Sequence, residues 1–321
     1  MPDGLNSQVL CKRSTILMGG RFEFTLVDKD SISGQKNINE LIAEVSRIEN
    51  LISDWIPASQ VSQVNQNAGI RPVKVDQEVF QLTSRAIRLS EITKGGFDIS
   101  FAAMDRIWRF DGSMTAMPSP EAIKNSVAKV GYKDIILDSL NQTIFLKKIG
   151  MKIGFGALGE GYAADRCKTL MLKKGINSGI VNATGDMSTW GLQPDGQRWK
   201  IGITNPFKRN KLIKVLSLSD QSVTTSGSYE KYVEFDGVRY SHIINPATGY
   251  PARGLTSVTV VGPGAEMCNG LSTSIMVLGQ KEGLRLLSLF PEYSCLMITD
   301  KGKVIRSRSF NKHFSKSKEL K

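Results

Sequence analysis

The sequence predicts an α+β fold in which mostly antiparallel strands pack against helices. Residues 21–27, RFEFTLV, alternate in side-chain polarity, as a strand with one buried face does. Residues 37–52 instead place their apolar side chains on one face of a helix. The second half of the chain is rich in short strands and turns, and the sequence contains no internal repeat and no long linker.

Residues that begin or end helices delimit the predicted helices of the first half. Asn37 has a Glu three residues later, which is the spacing of a capping box, so the first helix is predicted to begin there. A second helix covers residues 78–92 and ends at a Lys-Gly-Gly triplet. Ser119, followed by proline, begins a third helix that Gly131 closes.

Alternation and short apolar runs indicate the remaining elements. Residues 134–146 predict a hairpin with its turn at residues 139–141. Residues 151–175 predict a strand, a glycine-rich turn and a helix. Beyond them the pattern predicts strands at 179–182, 199–203, 232–235, 257–261 and 295–298, and helices at 266–277 and 281–289.

Length and composition indicate a folded chain with a large core. The 321 residues are 40% hydrophobic and 22% charged, which suits one large domain or two packed lobes and excludes a disordered chain. No apolar run approaches the roughly 18 residues that span a bilayer. The four cysteines form no C-x-x-C pair and no zinc pattern, and Cys167, Cys268 and Cys295 lie among apolar neighbours, as core residues do.

Positive charge is concentrated at the C-terminus. The net charge is +12, and residues 301–321 contribute +7 of it through eight Lys or Arg and one Glu. A solvated tail is the simplest interpretation, and contact with a membrane surface of anionic lipid or with an acidic partner is the alternative. Nucleic-acid binding is not predicted, because the sequence has no nucleic-acid module and the tail lacks regular aromatic residues.

The N-terminus, MPDGLNSQVLCKRS, is not a complete signal peptide, because no long apolar stretch follows a positively charged start. The protein is therefore expected to be either cytoplasmic or exported by a signal that this sequence lacks. The segment QVLCKR could be the remainder of a trimmed export signal.

A glycine-rich pattern, GFGALG at residues 154–159, lies between a predicted strand and a predicted helix. Alone, it suggests a dinucleotide site of the Rossmann type. The surroundings disagree, since no run of alternating strands and helices follows and no convincing acidic strand end occurs about 20 residues later. Glycines before a helix still let the backbone approach a phosphate, so the sequence predicts a phosphate site without a Rossmann fold.

Eight short segments occur in an order that is more informative than any one of them. They are LMG (17–19), SDWIPASQVSQVN (53–65), GGFDIS (95–100), GALGEGYAAD (156–165), VNATGDMSTWG (181–191), VTTSGSYEKY (223–232), YSHIINPATGYP (240–251) and MCNGLSTSIMVLG (267–279). In this order they are specific: the chain resembles the ApbE family of FAD:protein FMN transferases from about residue 17 to the end of the folded body.

The resemblance implies a T-fold-like domain of mostly antiparallel sheets at residues 17–310, between an N-terminal extension at residues 1–16 and a basic tail at residues 311–321. It implies transfer of FMN from FAD, with magnesium, to a Thr or Ser of a flavoprotein of a membrane redox complex, with release of AMP. The acceptor motif would be close to Asp-x-x-[Ser/Thr]-Gly-Ala-[Ser/Thr]. A periplasmic location, on the outer side of the cytoplasmic membrane, is also implied.

The same resemblance assigns residues to the expected site. His242, the only histidine before the basic tail, would serve the chemical step. Trp55 would stack on the flavin, where the family usually has Tyr. Magnesium would be held by Asn269, Thr273 and the Ala157 carbonyl. The flavin nucleotide would further contact Met18, Gly96, Phe97, Asp98, Gly154, Glu160 and Ile243.

Two of these positions depart from the family pattern. Asn269 stands where Asp is commonest, and its amide keeps an oxygen but loses the charge. This predicts weaker binding of magnesium unless phosphates or other ligands compensate. Gly154 replaces an Asp that many members use near the flavin nucleotide. Glu160 is ordinary, because the family has Lys or Glu there.

Plain structural alternatives exist for the main residues. Trp55 could be a core residue, His242 could be structural or exposed, and Asn269 with Thr273, four apart on one helix face, could only cap that helix. Asp186 could equally hold a substrate or make a local turn. The segment at residues 226–229 could line the site or only reverse the chain.

The function also has alternatives at this point. One is hydrolysis of FAD, in which water replaces the acceptor hydroxyl. The other is flavin carriage without turnover, which would follow if Asn269 disabled the metal site.

Overall fold

The computed structural model describes residues 8–229 and 231–310 as strands and helices joined by short turns. In chain order the elements are β1 (Val9–Leu17), β2 (Gly20–Asp28), α1 (Ser31–Ile52), α2 (Gln60–Gln66), β3 (Val73–Lys74), α3 (Gln77–Ile92), a 3₁₀ turn (Ile99–Ala103), α4 (Pro120–Val127), a second 3₁₀ turn (Tyr132–Asp134), β4 (Ile135–Asp138), β5 (Thr143–Leu146), α5 (Gly159–Lys173), β6 (Gly179–Ala183), β7 (Asp186–Trp190), β8 (Trp199–Asn205), β9 (Lys208–Leu218), β10 (Ser222–Gly227), β11 (Tyr232–Phe235), β12 (Val238–Ser241), β13 (Leu255–Gly262), α6 (Ala265–Leu287), β14 (Ser294–Thr299) and β15 (Val304–Arg306).

The centre of the described fold is an eight-stranded sheet in the order β1-β2-β6-β7-β10-β13-β14-β15, and every neighbouring pair is antiparallel. Helices α1, α5 and α6 cover one face, and the β8–β9 ribbon covers the other. Alternation along β13 serves both layers: Val258 and Val260 join the helical core, whereas Val261 packs under the ribbon. The predicted α+β class with mostly antiparallel sheets is confirmed.

A smaller hydrophobic cluster lies beside the two cores on the faces of the sheet, and it supports the loop that contains His242. The Trp108 ring stacks on Tyr240 of β12 with centroids 5.7 Å apart, and its Nε1 donates to the Gly249 carbonyl at 2.9 Å. Ile123 of α4 and Val233 of β11 complete the cluster. These contacts fix the β11–β12 hairpin, and therefore the chain that leaves it, to the segment before α4.

The first strand places the N-terminal segment in the sheet. β1 pairs with β2 along its whole length, so the predicted extension over residues 1–16 is part of the sheet from Val9 onward. The hairpin turn between them is Met18-Gly19, with φ of 51° and 77°, which is the backbone of a two-residue type I′ turn. The tail predicted at residues 311–321 lies outside the described residues.

Helix α1 begins earlier than the capping-box pattern predicted. Asp30 caps it, accepting from the Ser33 backbone N–H at 2.7 Å. Asn37 is buried inside the helix instead, and its Nδ2 donates to Asp28 Oδ2 at 2.7 Å. The prediction was wrong because Asp28, at the end of β2, binds the side chain that resembled a cap.

Three other predicted elements differ from those in the structure. Helix α4 begins after Ser119 as predicted but ends at Val127, before Gly131. Residues 151–155 are not a strand, because no neighbouring strand pairs with them. The two helices predicted near the C-terminus form α6 with a break at Gly279, where φ is 76°. None of the described helices combines the length and apolar character needed to cross a membrane.

Helices α5 and α6 cross at unusually short range, and Gly161 makes this possible. A Cβ added at Gly161 would lie 2.5 Å from the Ala265 carbonyl oxygen and 2.8 Å from the Glu266 nitrogen. Beside this crossing, the carboxylate of Asp165 accepts from the Ala265 and Glu266 N–H groups at 2.9 and 3.0 Å. The start of α6 is therefore fixed against α5 by backbone contact and by a carboxylate cap.

We expect Gly161→Ala to lower the free energy of unfolding by about 1–3 kcal/mol, the usual cost of overpacking, although alanine favours an isolated helix. Denaturant unfolding of the purified protein measures the change. Gly156→Ala is the control, since a Cβ there would meet no atom within 4 Å. Equal stability of Gly161→Ala and the parent chain would show that the helices separate without cost.

Candidate active site

The predicted site residues all line one cleft, formed by two adjoining cavities of about 460 and 350 Å³. Met18 lines the smaller cavity, and Trp55 and Glu160 line both. The larger cavity is lined by the rest, namely Gly96, Phe97, Asp98, Gly154, Ala157, His242, Ile243, Asn269 and Thr273. The volumes of the two cavities are in the range of sites that bind cofactors and small molecules.

Trp55 lies in the loop between α1 and α2 and is a surface residue, not a core residue. Its side chain is 71% exposed, and the Arg106 guanidinium lies over the indole at 4.2 Å from the ring centroid. An exposed indole at the junction of two cavities offers a flat surface to a planar ligand. The alternative of a core tryptophan is therefore wrong.

The glycine loop passes from the cleft into α5 and leaves no room for a side chain at its first position. A Cβ at Gly154 would lie 2.9 Å from the Ala102 Cβ, which cannot rotate away. Position 156, by contrast, faces open space. The loop ends at the N-terminus of α5, whose unpaired N–H groups favour an anion. The departure at Gly154 thus has a steric reason in this chain.

His242 follows β12 and lines the larger cavity, half-buried. Its backbone N–H donates to the Lys231 carbonyl at 3.0 Å, and its Nδ1 lies 3.1 Å from the same oxygen. A carbonyl can only accept, so Nδ1 carries the hydrogen and Nε2 is the nitrogen with a lone pair in the neutral ring. The Phe110 ring lies edge-on at 6.4 Å and completes the support of the imidazole.

Asn269 and Thr273 share one face of α6, as their spacing predicted, and both line the larger cavity. The Thr273 Oγ1 lies 3.4 Å from the Asn269 Oδ1, and the Asn269 Nδ2 donates to Asp186 Oδ2. Neither residue caps the helix, since α6 begins at Ala265, after Gly264, and its first two N–H groups are capped by Asp165 of α5. The capping alternative is therefore wrong.

Asp186 is the first residue of β7 and is only 5% exposed. Thr184 and Gly185, with φ of 53° and 112°, form the tight β6–β7 turn that directs it into the cleft. Burial, and next the charge of Glu160, raise the pKa of Asp186 to about 8. Burial also raises the pKa of Glu160. A cation bound beside these two groups would lower both pKa values and favour the charged carboxylates.

The oxygen atoms of this corner fit a hard divalent ion such as magnesium. Asn269 and Thr273 present an amide oxygen and a hydroxyl, and the Ala157 carbonyl accepts no backbone hydrogen bond from the described turns, loops and caps. The Thr224 Oγ1, 2% exposed, is the one buried side-chain polar atom of the described chain without a hydrogen-bond partner. A hard divalent ion requires oxygen ligands that remain accessible to it.

Asp98 lines the cleft, but its side chain serves the local backbone. One oxygen accepts from the Ser100 N–H and hydroxyl at 2.8 and 2.6 Å, and the other from the Tyr132 N–H at 2.9 Å. Burial raises the pKa of Asp98, and these hydrogen bonds oppose the rise. The carboxylate thus shapes the loop that holds Gly96 and Phe97 against the cavity.

Several residues of the cleft were open or missed in the sequence. The Ser226 hydroxyl, left undecided above, lines the cavity and bonds the Ser272 hydroxyl at 2.7 Å. Thr224 was missed, because nothing local separates it from the other polar residues of β10. Arg106, which contacts Trp55 beside the cleft, was missed because it lies in a loop far along the chain. For Asp186, the sequence signal was the tight turn within NATGD. The turn placed Asp186 in a loop but did not indicate that its side chain is buried.

Comparison with known proteins identifies the family of this chain. The model of the ApbE family matches residues 18–297. A relative named FAD:protein FMN transferase from Klebsiella pneumoniae (strain 342) is 30% identical over 304 residues, covering 94% of this chain and 93% of the relative. A second one from Treponema pallidum, with the same name, is 30% identical over 276 residues, covering 81% of this chain and 76% of the relative.

Solved structures show the same similarity in three dimensions. The ApbE protein of Thermotoga maritima superposes with a TM-score of 0.86 at 30% identity, covering 95% of this chain and 99% of that one. The flavin transferase ApbE of Vibrio cholerae gives 0.85 at 25% identity, covering 96% and 100%. With the family model matched over most of its length, this chain belongs to the ApbE family.

Proposed function

We propose that this protein is an FAD:protein FMN transferase, which moves FMN from FAD to a Ser or Thr hydroxyl of an acceptor flavoprotein and releases AMP. The observation that carries the proposal is the single cleft in which Trp55, the glycine loop, the Asn269–Thr273 pair and His242 meet. These features match the three parts of the donor: a planar flavin, a pyrophosphate and a phosphorus atom under attack. The names of the relatives support the same reaction.

The proposed binding of FAD uses both cavities. The flavin lies against the exposed indole of Trp55, and the pyrophosphate lies over the glycine loop at the start of α5. Helix N–H groups and glycine backbone stabilise the phosphate charge. Magnesium, held by Ala157, Asn269 and Thr273, would neutralise the pyrophosphate further, which is the main requirement of phosphoryl transfer.

The proposed chemical step forms one P–O bond and breaks another. The acceptor hydroxyl oxygen attacks the phosphorus on the FMN side, and the bond from that phosphorus to the bridging oxygen breaks. AMP leaves with the bridging oxygen, and the product is a phosphoester. The Nε2 of His242, left with its lone pair by the Lys231 carbonyl, accepts the hydroxyl proton.

The family resemblance supports two further parts of the proposal, and the charge of the C-terminal tail supports a third. The acceptor carries a motif close to Asp-x-x-[Ser/Thr]-Gly-Ala-[Ser/Thr] and belongs to a membrane redox complex. The reaction takes place on the outer side of the cytoplasmic membrane. The basic tail, outside the described residues, contacts the membrane surface or an acidic partner through its charge.

One assay separates the transferase from its rivals. The full chain is incubated with FAD and magnesium, with and without an acceptor domain, and AMP release and covalent flavin fluorescence are followed. AMP that appears only with acceptor, together with covalent fluorescence, indicates a transferase. AMP without acceptor indicates FAD hydrolysis, and no AMP in either case indicates a carrier.

We expect Trp55→Ala to weaken FAD binding by about 1–3 kcal/mol, the usual contribution of one aromatic stacking surface. Calorimetric titration of FAD measures the change. Phe207→Ala is the matched control, because Phe207 is also an exposed aromatic residue, 52% exposed, but lies outside the cleft. Unchanged FAD affinity in Trp55→Ala would remove the indole from the binding site.

We expect His242→Ala to retain FAD binding and to lose transfer by about 10²–10⁴-fold, the usual contribution of a general base. Single-turnover transfer to an acceptor domain measures the loss. His313→Ala, the other histidine of the chain, is the control and should transfer at the parent rate. Near-normal transfer by His242→Ala would mean that the proton leaves by another route.

We expect Asn269→Asp to lower the magnesium concentration needed for half-maximal transfer, because a carboxylate attracts a hard dication more strongly than an amide. Its side chain would also face the carboxylate of Asp186, so without magnesium the free energy of unfolding should fall by about 1–3 kcal/mol.

Asn37→Asp is the control for this prediction, since Asn37 likewise donates to a buried carboxylate, Asp28, far from the cleft. Asn37→Asp should leave the magnesium requirement at that of the parent chain. Identical magnesium titrations of Asn269→Asp and the parent chain would contradict the ligand role of Asn269.

A further inference from the structure

Among the described residues, two buried pairs join an aspartate to an asparagine, and only one of the pairs has a Lys or Arg beside it. Asp28 accepts from Asn37 behind the sheet, and Asp186 accepts from Asn269 in the cleft. All four side chains are less than 9% exposed. A buried carboxylate is costly unless cations or donors surround it, so the partners of each pair can be compared directly.

The pair behind the sheet is completed by a cation of the protein. Lys174 Nζ donates to Asn37 Oδ1 at 2.7 Å, so the ammonium lies on the amide oxygen of the pair. In the cleft, the corresponding oxygen, Asn269 Oδ1, has Thr273 Oγ1 at 3.4 Å and no ammonium or guanidinium partner among the described residues. Asp186 likewise takes part in no ion pair of the described chain.

The hydrogen bond from Asn269 determines which atom of the amide faces the cleft. A carboxylate only accepts, so Nδ2 must point to Asp186, and Oδ1 must point to the side of Thr273. Without Asp186, the amide could turn its NH₂ group toward the cleft. Asp186 therefore orients the oxygen that a metal ion would use.

A second observation at the same corner is the hydroxyl of Thr224. Its Oγ1 has no hydrogen-bond partner among the described residues. Thr224 is 2% exposed and lines the same cavity as Asp186, Asn269 and Thr273. A buried hydroxyl without a partner indicates that a further polar group belongs there.

We propose that Asp186 is a functional part of the divalent-cation site, where it supplies the negative charge that Asn269 lacks and orients the Asn269 amide oxygen toward the ion. This inference rests on the proposed magnesium site. The site can then carry a negative charge although its ligand Asn269 is neutral. The charge belongs to Asp186 on β7, which accepts a hydrogen bond from Asn269.

The test is binding of Mn²⁺ to the full chain, followed by electron paramagnetic resonance with and without FAD. Asp186→Asn should weaken Mn²⁺ binding by about 10–100-fold, the usual effect of losing a group that orients a metal ligand. Asp28→Asn, which alters the matched pair behind the sheet, should bind Mn²⁺ as the parent chain does. Unchanged Mn²⁺ affinity in Asp186→Asn would overturn the proposal.

A charge swap gives an independent test and covers the case in which Asp186→Asn does not fold. The double variant Asp186→Asn/Asn269→Asp keeps one carboxylate, one amide and the bond between them. If Asp186 already supplies the charge, the swap should bind Mn²⁺ about as well as the parent chain. A swap that binds as tightly as Asn269→Asp alone, or that loses binding, would overturn it.

These readouts separate this proposal from the proposed reaction. Mn²⁺ binding that depends on Asp186, in a chain that transfers no FMN, would support the cation site and refute the transferase. FMN transfer by the parent chain, together with Mn²⁺ binding that does not depend on Asp186, would support the transferase and refute the role of Asp186 in the cation site. Absence of Mn²⁺ binding by the parent chain, with and without FAD, would overturn the cation site itself.

Discussion

The carboxylate of Asp165 is the interaction on which the arrangement of the cleft depends. It lies on α5 and accepts from the first two N–H groups of α6 and from the Ser188 hydroxyl of β7 at 3.2 Å. Burial raises its pKa, and the N–H groups of the helix start offset this. One side chain thus joins the three elements that carry Glu160, Asn269 and Asp186.

Gly161 makes the contact of Asp165 with the start of α6 possible, because that contact requires the backbones of α5 and α6 to lie close together. Gly161 removes the Cβ that would separate them. The result is a shared corner at which the glycine loop before α5 meets the face of α6 that bears Asn269 and Thr273. The proposed phosphate-binding loop and the proposed cation site therefore lie side by side for a structural reason, without the parallel sheet that usually accompanies G-x-G-x-x-G.

The cleft combines an electrostatic centre with an exposed periphery, and this division suits a donor with two unlike ends. Buried carboxylates, amides and hydroxyls surround the place proposed for the pyrophosphate, where low polarity of the surroundings strengthens each charge interaction. Trp55 and Arg106 lie at the surface, where a planar ring can enter and leave. His242 is held by a separate cluster around Trp108, so its position does not depend on the sheet alone.

The sequence by itself determined the fold class, most of the elements and many of the residues in the cleft. Alternation and helical periodicity are local properties, and the order of eight segments identified residues from Met18 to Thr273 that the structure brings together. Only the tertiary structure decided which polar side chains serve the cleft and which serve the fold. Asn37 and Asn269 look alike in sequence, as do Asp28 and Asp186, and each Asn donates to its Asp. Lys174 donates to the first pair, whereas no Lys or Arg of the described residues contacts the second. The identity of the third partner comes from strands and helices distant in the chain, so no local pattern could supply it.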